Sequence, residues 1–249
     1  MKKILCLFSA LALLVSSCSS DENSSSEEKV LLPKTEKYTY GSNGTENDLV
    51  TYAYDGKKIT SLTYGGGQKT VFTYTGDLIT KAVYTETYGG ATHTSTTTFT
   101  YENNKLKSSL KVNSGNSSNV KKTYVYNANG TISTVTTLIN TTTQEEIQDS
   151  SSVLTLDANG NIIKAEFNDL TNIVEYDTKN SPFKNIVGYT LLLDSEIFDK
   201  EANSPNNITK IIEKTGEVVE GTYIYTNTYN EDNYLTKTVF GNETYEYTY

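Results

Sequence analysis

Arginine is absent from this chain, and all 21 of its basic residues are lysine. Arg supplies the planar, two-pronged donor that grips phosphates, carboxylates and base edges. Its absence, set beside 30 acidic residues and a net charge of −9, argues against binding to nucleic acid or phosphate. Tryptophan is absent as well, which removes the largest aromatic platform for a sugar or a base. Histidine occurs once, at His93. Metal sites and acid–base pairs usually draw on several such ligands, and one histidine leaves a nucleophilic triad only unusual members. No catalytic residue, no cofactor and no metal site is expected.

Cysteine is scarce too, with only Cys6 and Cys18. Lys2 and Lys3 form a positive n-region, and Ile4 to Val15 form an apolar stretch. That stretch is too short for a membrane-spanning helix of about 20 residues but suits a secretory signal. It ends Val15-Ser16-Ser17-Cys18, and small residues directly before a cysteine resemble the bacterial lipobox. Residues 1–17 are therefore expected to be a lipoprotein signal peptide, with Cys18 the site of lipid attachment. Cleavage there removes Cys6 and leaves a single cysteine with no disulfide partner. It also removes Lys2 and Lys3, so the net charge moves from −9 to −11. So acidic a chain is repelled by anionic lipid, and the acyl chains must hold it on the membrane.

Residues 18–34 read as a flexible tether. Ser19 to Lys29 (SSDENSSSEEK) holds Ser, Asn and charge with no apolar residue, so it cannot offset its ordering entropy. Asp21 and Glu22, just after the cysteine, resemble the export signal of Bacteroidota lipoproteins, which implies the outer face of the outer membrane. The alternative location is the periplasmic face.

From residue 35 to 249 the chain reads as one β-repeat domain of strands and turns. Large residues recur in pairs two apart before each turn: Tyr52/Tyr54, Phe72/Tyr74, Phe99/Tyr101, Tyr124/Tyr126, Leu154/Leu156 and Val174/Tyr176. A period of two is one face of a strand, and Thr, Val, Tyr and Phe suit a pleated surface. The Asp, Asn and Gly that follow suit hairpin turns. Each returning strand opens on an aliphatic residue: Ile59, Ile79, Leu106, Ile132, Ile162 or Leu235. A second apolar residue often comes three positions later, as at Leu62 and Val135. An odd spacing means either a bulge or cover on both faces, and the sequence leaves both open. Repetition at this spacing predicts stacked hairpins.

The fold class expected is all-β: an antiparallel meander of repeated hairpins forming a curled, barrel-like or elongated sheet. One short helix or loop insertion is expected near 183–202, where the rhythm breaks at GYTLLLDSEIFDKEA. Twenty tyrosines predict an amphipathic core, thin or elongated, because each hydroxyl needs a partner. A lipid-facing strand would show Leu, Val and Phe alternating over about ten residues. Here the alternate positions are Thr, Ser, Lys and Asn, so no membrane-spanning barrel is expected.

Tyr54-Asp55-Gly56-Lys57-Lys58-Ile59, Asp157-Ala158-Asn159-Gly160-Asn161-Ile162 and Tyr176-Asp177 resemble the tyrosine–aspartate repeat of the Rhs/teneurin type. The chain from about Lys37 to Tyr249 is similar to Bacteroidota lipoproteins built from degenerate repeats of this kind. Some of those carry a domain of unknown function described as porin-like in fold, and residues 176–184 look typical of them. Several copies depart from the pattern: Glu102 and Asn127 replace the Asp, Leu156 replaces the Tyr, and Thr75 leaves no Asp. The resemblance implies a β-rich meander and says little about activity.

Other motifs reduce to turns. GGGQKT (65–70) lacks the contiguous Gly-Lys-Ser/Thr and the following helix of a phosphate loop. Asp157-Ala-Asn159-Gly160 lacks the further oxygens of a calcium loop. Asn230-Glu231-Asp232-Asn233 is readable as a hairpin tip without an ion, and Glu145-Glu146 as a solvated loop. The expected function is a non-catalytic binding or structural module anchored at the outer membrane, with an envelope protein or glycan as partner and no nucleic acid. The alternative is a surface lipoprotein that binds or hydrolyses glycan or peptide through a carboxylate pair the sequence does not nominate.

Overall fold

Each strand–turn–strand unit of the sequence forms a two-stranded ribbon. The computed structural model describes residues 30–41, 46–193, 197–198 and 203–249. The proposed signal peptide, Cys18, Asp21 and Glu22 lie outside the described residues. The chain opens with β1 (Thr35–Tyr40), β2 (Glu46–Asp55), β3 (Lys58–Tyr64), β4 (Lys69–Thr75), β5 (Leu78–Tyr88) and β6 (Ala91–Glu102). It continues with β7 (Lys105–Asn113), β8 (Ser118–Tyr126), β9 (Thr131–Asn140), β10 (Glu146–Leu156), β11 (Ile162–Phe167) and β12 (Leu170–Tyr176). After a long insertion come β13 (Ile208–Thr215), β14 (Val218–Ile224), β15 (Thr226–Tyr229), β16 (Leu235–Phe240) and β17 (Glu243–Thr248).

Consecutive strands pair antiparallel. β14 and β15 are one strand interrupted at Tyr225: the first half pairs with β13, the second with β16. β17 then pairs back with β1. The meander thus closes almost completely, leaving sixteen staves once the interrupted strand is counted once. Of the shapes the sequence left open, the barrel is the one adopted.

The hairpins sort by end. The turns after β2, β4, β6, β8, β10 and β15, which carry the repeat motif, all lie on one rim, here termed the repeat rim. The insertion after β12 and the run from Leu31 to Lys34 lie there too. The turns after β1, β3, β5, β7, β9, β11, β13 and β16 form the opposite, open rim.

The paired large residues face inward, and Tyr52, Phe72, Phe99 and Tyr124 are all buried. The outward positions carry Thr, Ser and Lys together with scattered exposed aliphatics such as Leu49, Val71, Val112 and Val125, and ion pairs run along the wall: Lys121–Glu146 at 3.5 Å, Lys164–Glu166 at 2.7 Å, Lys210–Glu175 at 2.9 Å and Lys237–Glu246 at 3.5 Å. A lysine at the centre of a lipid-facing strand costs about 2–4 kcal/mol, so each of these ion pairs weighs against lipid along its own stretch of the wall.

A ring of about 16 strands encloses a channel rather than a packed core. The insertion between β12 and β13 fills that space at the repeat rim. Among its described residues it is a loop that includes a 3-10 turn at Tyr189–Leu191. Phe183, Ile186, Tyr189, Leu192 and Phe198 join the inward residues of the wall in one buried cluster. Phe183 meets Tyr52 and Tyr247 edge-on, at 5.6 and 6.0 Å between ring centres, and Phe198 stacks on Phe72 at 5.2 Å. Such ring pairs add to area burial. Backbone bonds fix the plug: Val187 N–H donates to the Lys57 carbonyl, the Tyr74 hydroxyl to Val187, and the Asn185 amide to Leu31. The thin core expected from composition is replaced by a thick one gathered inside one end of the ring.

Bulges account for the odd spacing. Tyr54 faces Ile59 while Ala53 faces Ser61, so Thr60 is extra. The same shift follows Ile79, Leu106, Ile162, Ile208 and Leu235. Each bulge returns the third residue to the inside, so Ile59 and Leu62 are both buried. β9 carries no such shift: Thr134 is buried beside Ile132, and Val135 is not among the core residues.

Candidate functional site

Towards the open rim, beyond Ile197, the inner wall changes character. Three transverse rows can be followed across the strands from their registers. Ala82, Thr97 and Lys111 lie side by side on β5, β6 and β7. One step towards the open rim, Thr70, Tyr84, Ser95 and Asn113 form the next row. Glu86 faces His93 at the lip. Directly opposed residues on one face have Cβ atoms about 4.5–5.5 Å apart, so each row is a contiguous patch. Tyr64 and the plug residue Ile197 complete a cavity of about 450 Å³.

The floor of this cavity is buried and its mouth is exposed. Thr70, Ala82 and Thr97 are buried, whereas His93 is exposed. The Tyr84 hydroxyl donates to Glu86 Oε2 at 3.1 Å. Burial, and then that charged acceptor, push the Tyr84 phenol above its ordinary value. Glu86 is the one acid among the described residues of the lining.

A second carboxylate is buried elsewhere. Glu36 on β1 is 3% exposed and accepts the Tyr52 hydroxyl at 2.7 Å. Burial raises the Tyr52 and Tyr247 phenols well above the usual range, and the Glu36 charge raises them further. Glu36 sits in the packed aromatic cluster, where it anchors tyrosines. No local pattern marks it, because an inward Glu between Thr35 and Lys37 reads like an ordinary exposed one.

The motifs singled out in the sequence settle as follows. Gly65 to Gln68 is a hairpin turn, with Tyr64 N–H donating to Gln68 O at 2.9 Å and Gly67 at φ +87°. His93 lies on β6 at the mouth of the cavity, a position its sequence neighbours did not reveal. The Asp157 carboxylate is occupied by the backbone N–H groups of Asn159 and Asn161 and by the Asn161 amide. Partial burial pushes that carboxyl up, but these bonds outweigh it and hold it below its ordinary value. Asn230 caps its own tip by accepting from the N–H groups of Asp232 and Tyr234. Glu145 lies in a turn and Glu146 begins β10. Among the described residues no group of three His, Cys, Asp or Glu side chains is placed to hold a metal ion.

Comparison with solved structures finds the same architecture. A porin-like protein from Bacteroides vulgatus superposes with a TM-score of 0.54 over 88% of this chain and 99% of that one, at 12% identity. A porin-like protein from Bacteroides uniformis gives a TM-score of 0.49 over 87% and 96%, at 13% identity. No protein-family model and no curated protein matches the chain. At this identity the likeness to the Bacteroides vulgatus protein is one of fold: an all-β antiparallel barrel.

Proposed function

We propose that this chain is a non-catalytic binding module of the cell envelope, held to the outer membrane by lipid on Cys18 and facing outward, with its plugged barrel standing off on an acidic tether. One observation carries the reading. The described chain comes into the barrel at the repeat rim, where Leu31 and Pro33 accept bonds from Asn185 and Tyr54. The polar cavity opens at the other rim. A lipid at the start of the tether therefore leaves the cavity pointing away from the membrane. The charged outer wall supports a barrel that stands in water, and the plug supports binding rather than conduction through the lumen. Asp21 and Glu22 support display on the cell surface.

Fractionation tests the anchor: the natural chain is expected in outer-membrane fractions and Cys18→Ala in the soluble fraction. Protease treatment of whole cells is expected to remove the barrel. A Cys18→Ala protein that still fractionates with membranes, or a chain beginning at residue 30 that needs detergent to stay in solution, would sink the reading.

A further inference from the structure

The cavity at the open rim is lined mostly by groups that can both give and take a hydrogen bond. We infer that it binds a neutral polyhydroxylated ligand, a saccharide of one or two rings. This deepens, and rests on, the reading of the open rim as the binding face.

Three features select that class. The middle and lower rows present the hydroxyls of Thr70, Tyr84, Ser95 and Thr97 beside the Asn113 amide. A hydroxyl is donor and acceptor at once, and a sugar offers the same dual groups in return. Among the described residues of the lining, the formal charges of Glu86 and Lys111 oppose each other. That balance, in a chain without arginine, disfavours phosphates and multiply acidic ligands. An apolar ligand would strand the buried Thr70 and Thr97 hydroxyls away from water. Finally, Ala82, Ile197 and the rings of Tyr64 and Tyr84 give the cavity apolar faces, against which the C–H face of a pyranose can lie. The volume of about 450 Å³ falls within the range of about 300–1,000 Å³ common for small-molecule sites.

The test is ligand-observed NMR on the full chain with three probes: a set of disaccharides (cellobiose, maltose, lactose and diacetylchitobiose), glycylglycine and inorganic phosphate. At least one disaccharide is expected to bind. Glu86→Gln is expected to weaken it about tenfold, the loss of one charged hydrogen-bond partner, with an unchanged thermal midpoint. Ser95→Trp, which fills the middle row, is expected to abolish it. If Ser95→Trp does not fold, Glu86→Gln alone decides the site. Disaccharide binding that both folded variants keep overturns the site. Binding of glycylglycine or phosphate alone, lost in the variants, overturns the ligand class and leaves the open rim as the binding face. Binding of none of the probes overturns both.

Discussion

The hydroxyl of Tyr101 donates to the carbonyl of Ile79 at 2.9 Å, across the strand boundary and one hairpin back. Tyr54 does the same to Pro33, Tyr176 to Ile162 and Tyr249 to Leu235. Tyr74 and Tyr126 hold the same place relative to Ile59 and Leu106, and the Tyr74 hydroxyl donates into the plug, to Val187. In each case, continuing the ladder places the first residue of the earlier hairpin opposite the position just before the tyrosine. The repeat is therefore a stitch, in which each tyrosine sews its hairpin to the first residues of the one before. β9 lacks the bulge, Ile132 falls opposite Leu154, and the following repeat carries Leu156 in place of the tyrosine. Tyr101→Phe keeps the ring and removes the stitch. It is expected to cost about 1 kcal/mol, read as a thermal midpoint lower by about 2–4 °C; an unchanged midpoint would deny the hydroxyl its role. Gly188 is constrained differently. It sits at φ +80°, and a Cβ there would lie 2.9 Å from the Asp77 carbonyl. Gly188→Ala is expected to lower the midpoint more than Tyr101→Phe does, because strain at positive φ adds to the clash.

At the scale of elements, the hairpins were legible and their assembly was not. Tyr52/Tyr54 and Phe72/Tyr74 announce an inward face because strand periodicity is local, and Asn-Gly or Asp-Gly announces the turn for the same reason. The pairing of Thr35 with Thr248 joins residues from opposite ends of the chain, and no window of sequence contains it. The bulges left a trace, the spacing of Ile59 and Leu62, but a bulge and a doubly covered strand give the same spacing. The cavity was not legible either. Glu86, His93 and Lys111 belong to three strands and meet only through the register. The insertion showed itself as a break in rhythm, yet its burial depends on a ring wide enough to receive it. Phe183→Ala tests that burial, since Phe183 touches Tyr52, Tyr189, Phe198 and Tyr247. A buried Phe→Ala change costs about 3–5 kcal/mol, so the midpoint is expected to fall by roughly 10 °C. A passive surface loop would leave it within about 2 °C of the natural chain.

For the whole molecule, the decisive quantity is the number of phenols that the barrel keeps from ionising. Tyrosines in an unfolded chain lose their protons near pH 10. In the barrel, burial holds the Tyr74 and Tyr176 phenols up at about 12. Tyr52, Tyr54, Tyr101, Tyr189, Tyr247 and Tyr249 are pushed higher still, with burial again the largest cause. Below pH about 10 both states carry these protons and stability is intact. Above it the unfolded chain binds fewer protons than the folded one, so stability falls as pH rises. Each fully buried phenol removes up to about 1.4 kcal/mol per pH unit, less for the part-exposed Tyr74. Several acting together exhaust a typical stability of about 5–15 kcal/mol within one or two units. Alkaline titration is therefore expected to leave the buried phenols protonated until roughly pH 11, then to show a single step in which the remaining near-ultraviolet tyrosinate absorbance and loss of the β-sheet circular dichroism signal coincide. Replacing stitched tyrosines by phenylalanine should make that step less steep, because fewer protons are released on unfolding. Ionisation of nearly all the tyrosines near pH 10 with the sheet intact would mean that the buried phenols face water, and that the barrel is not filled as described.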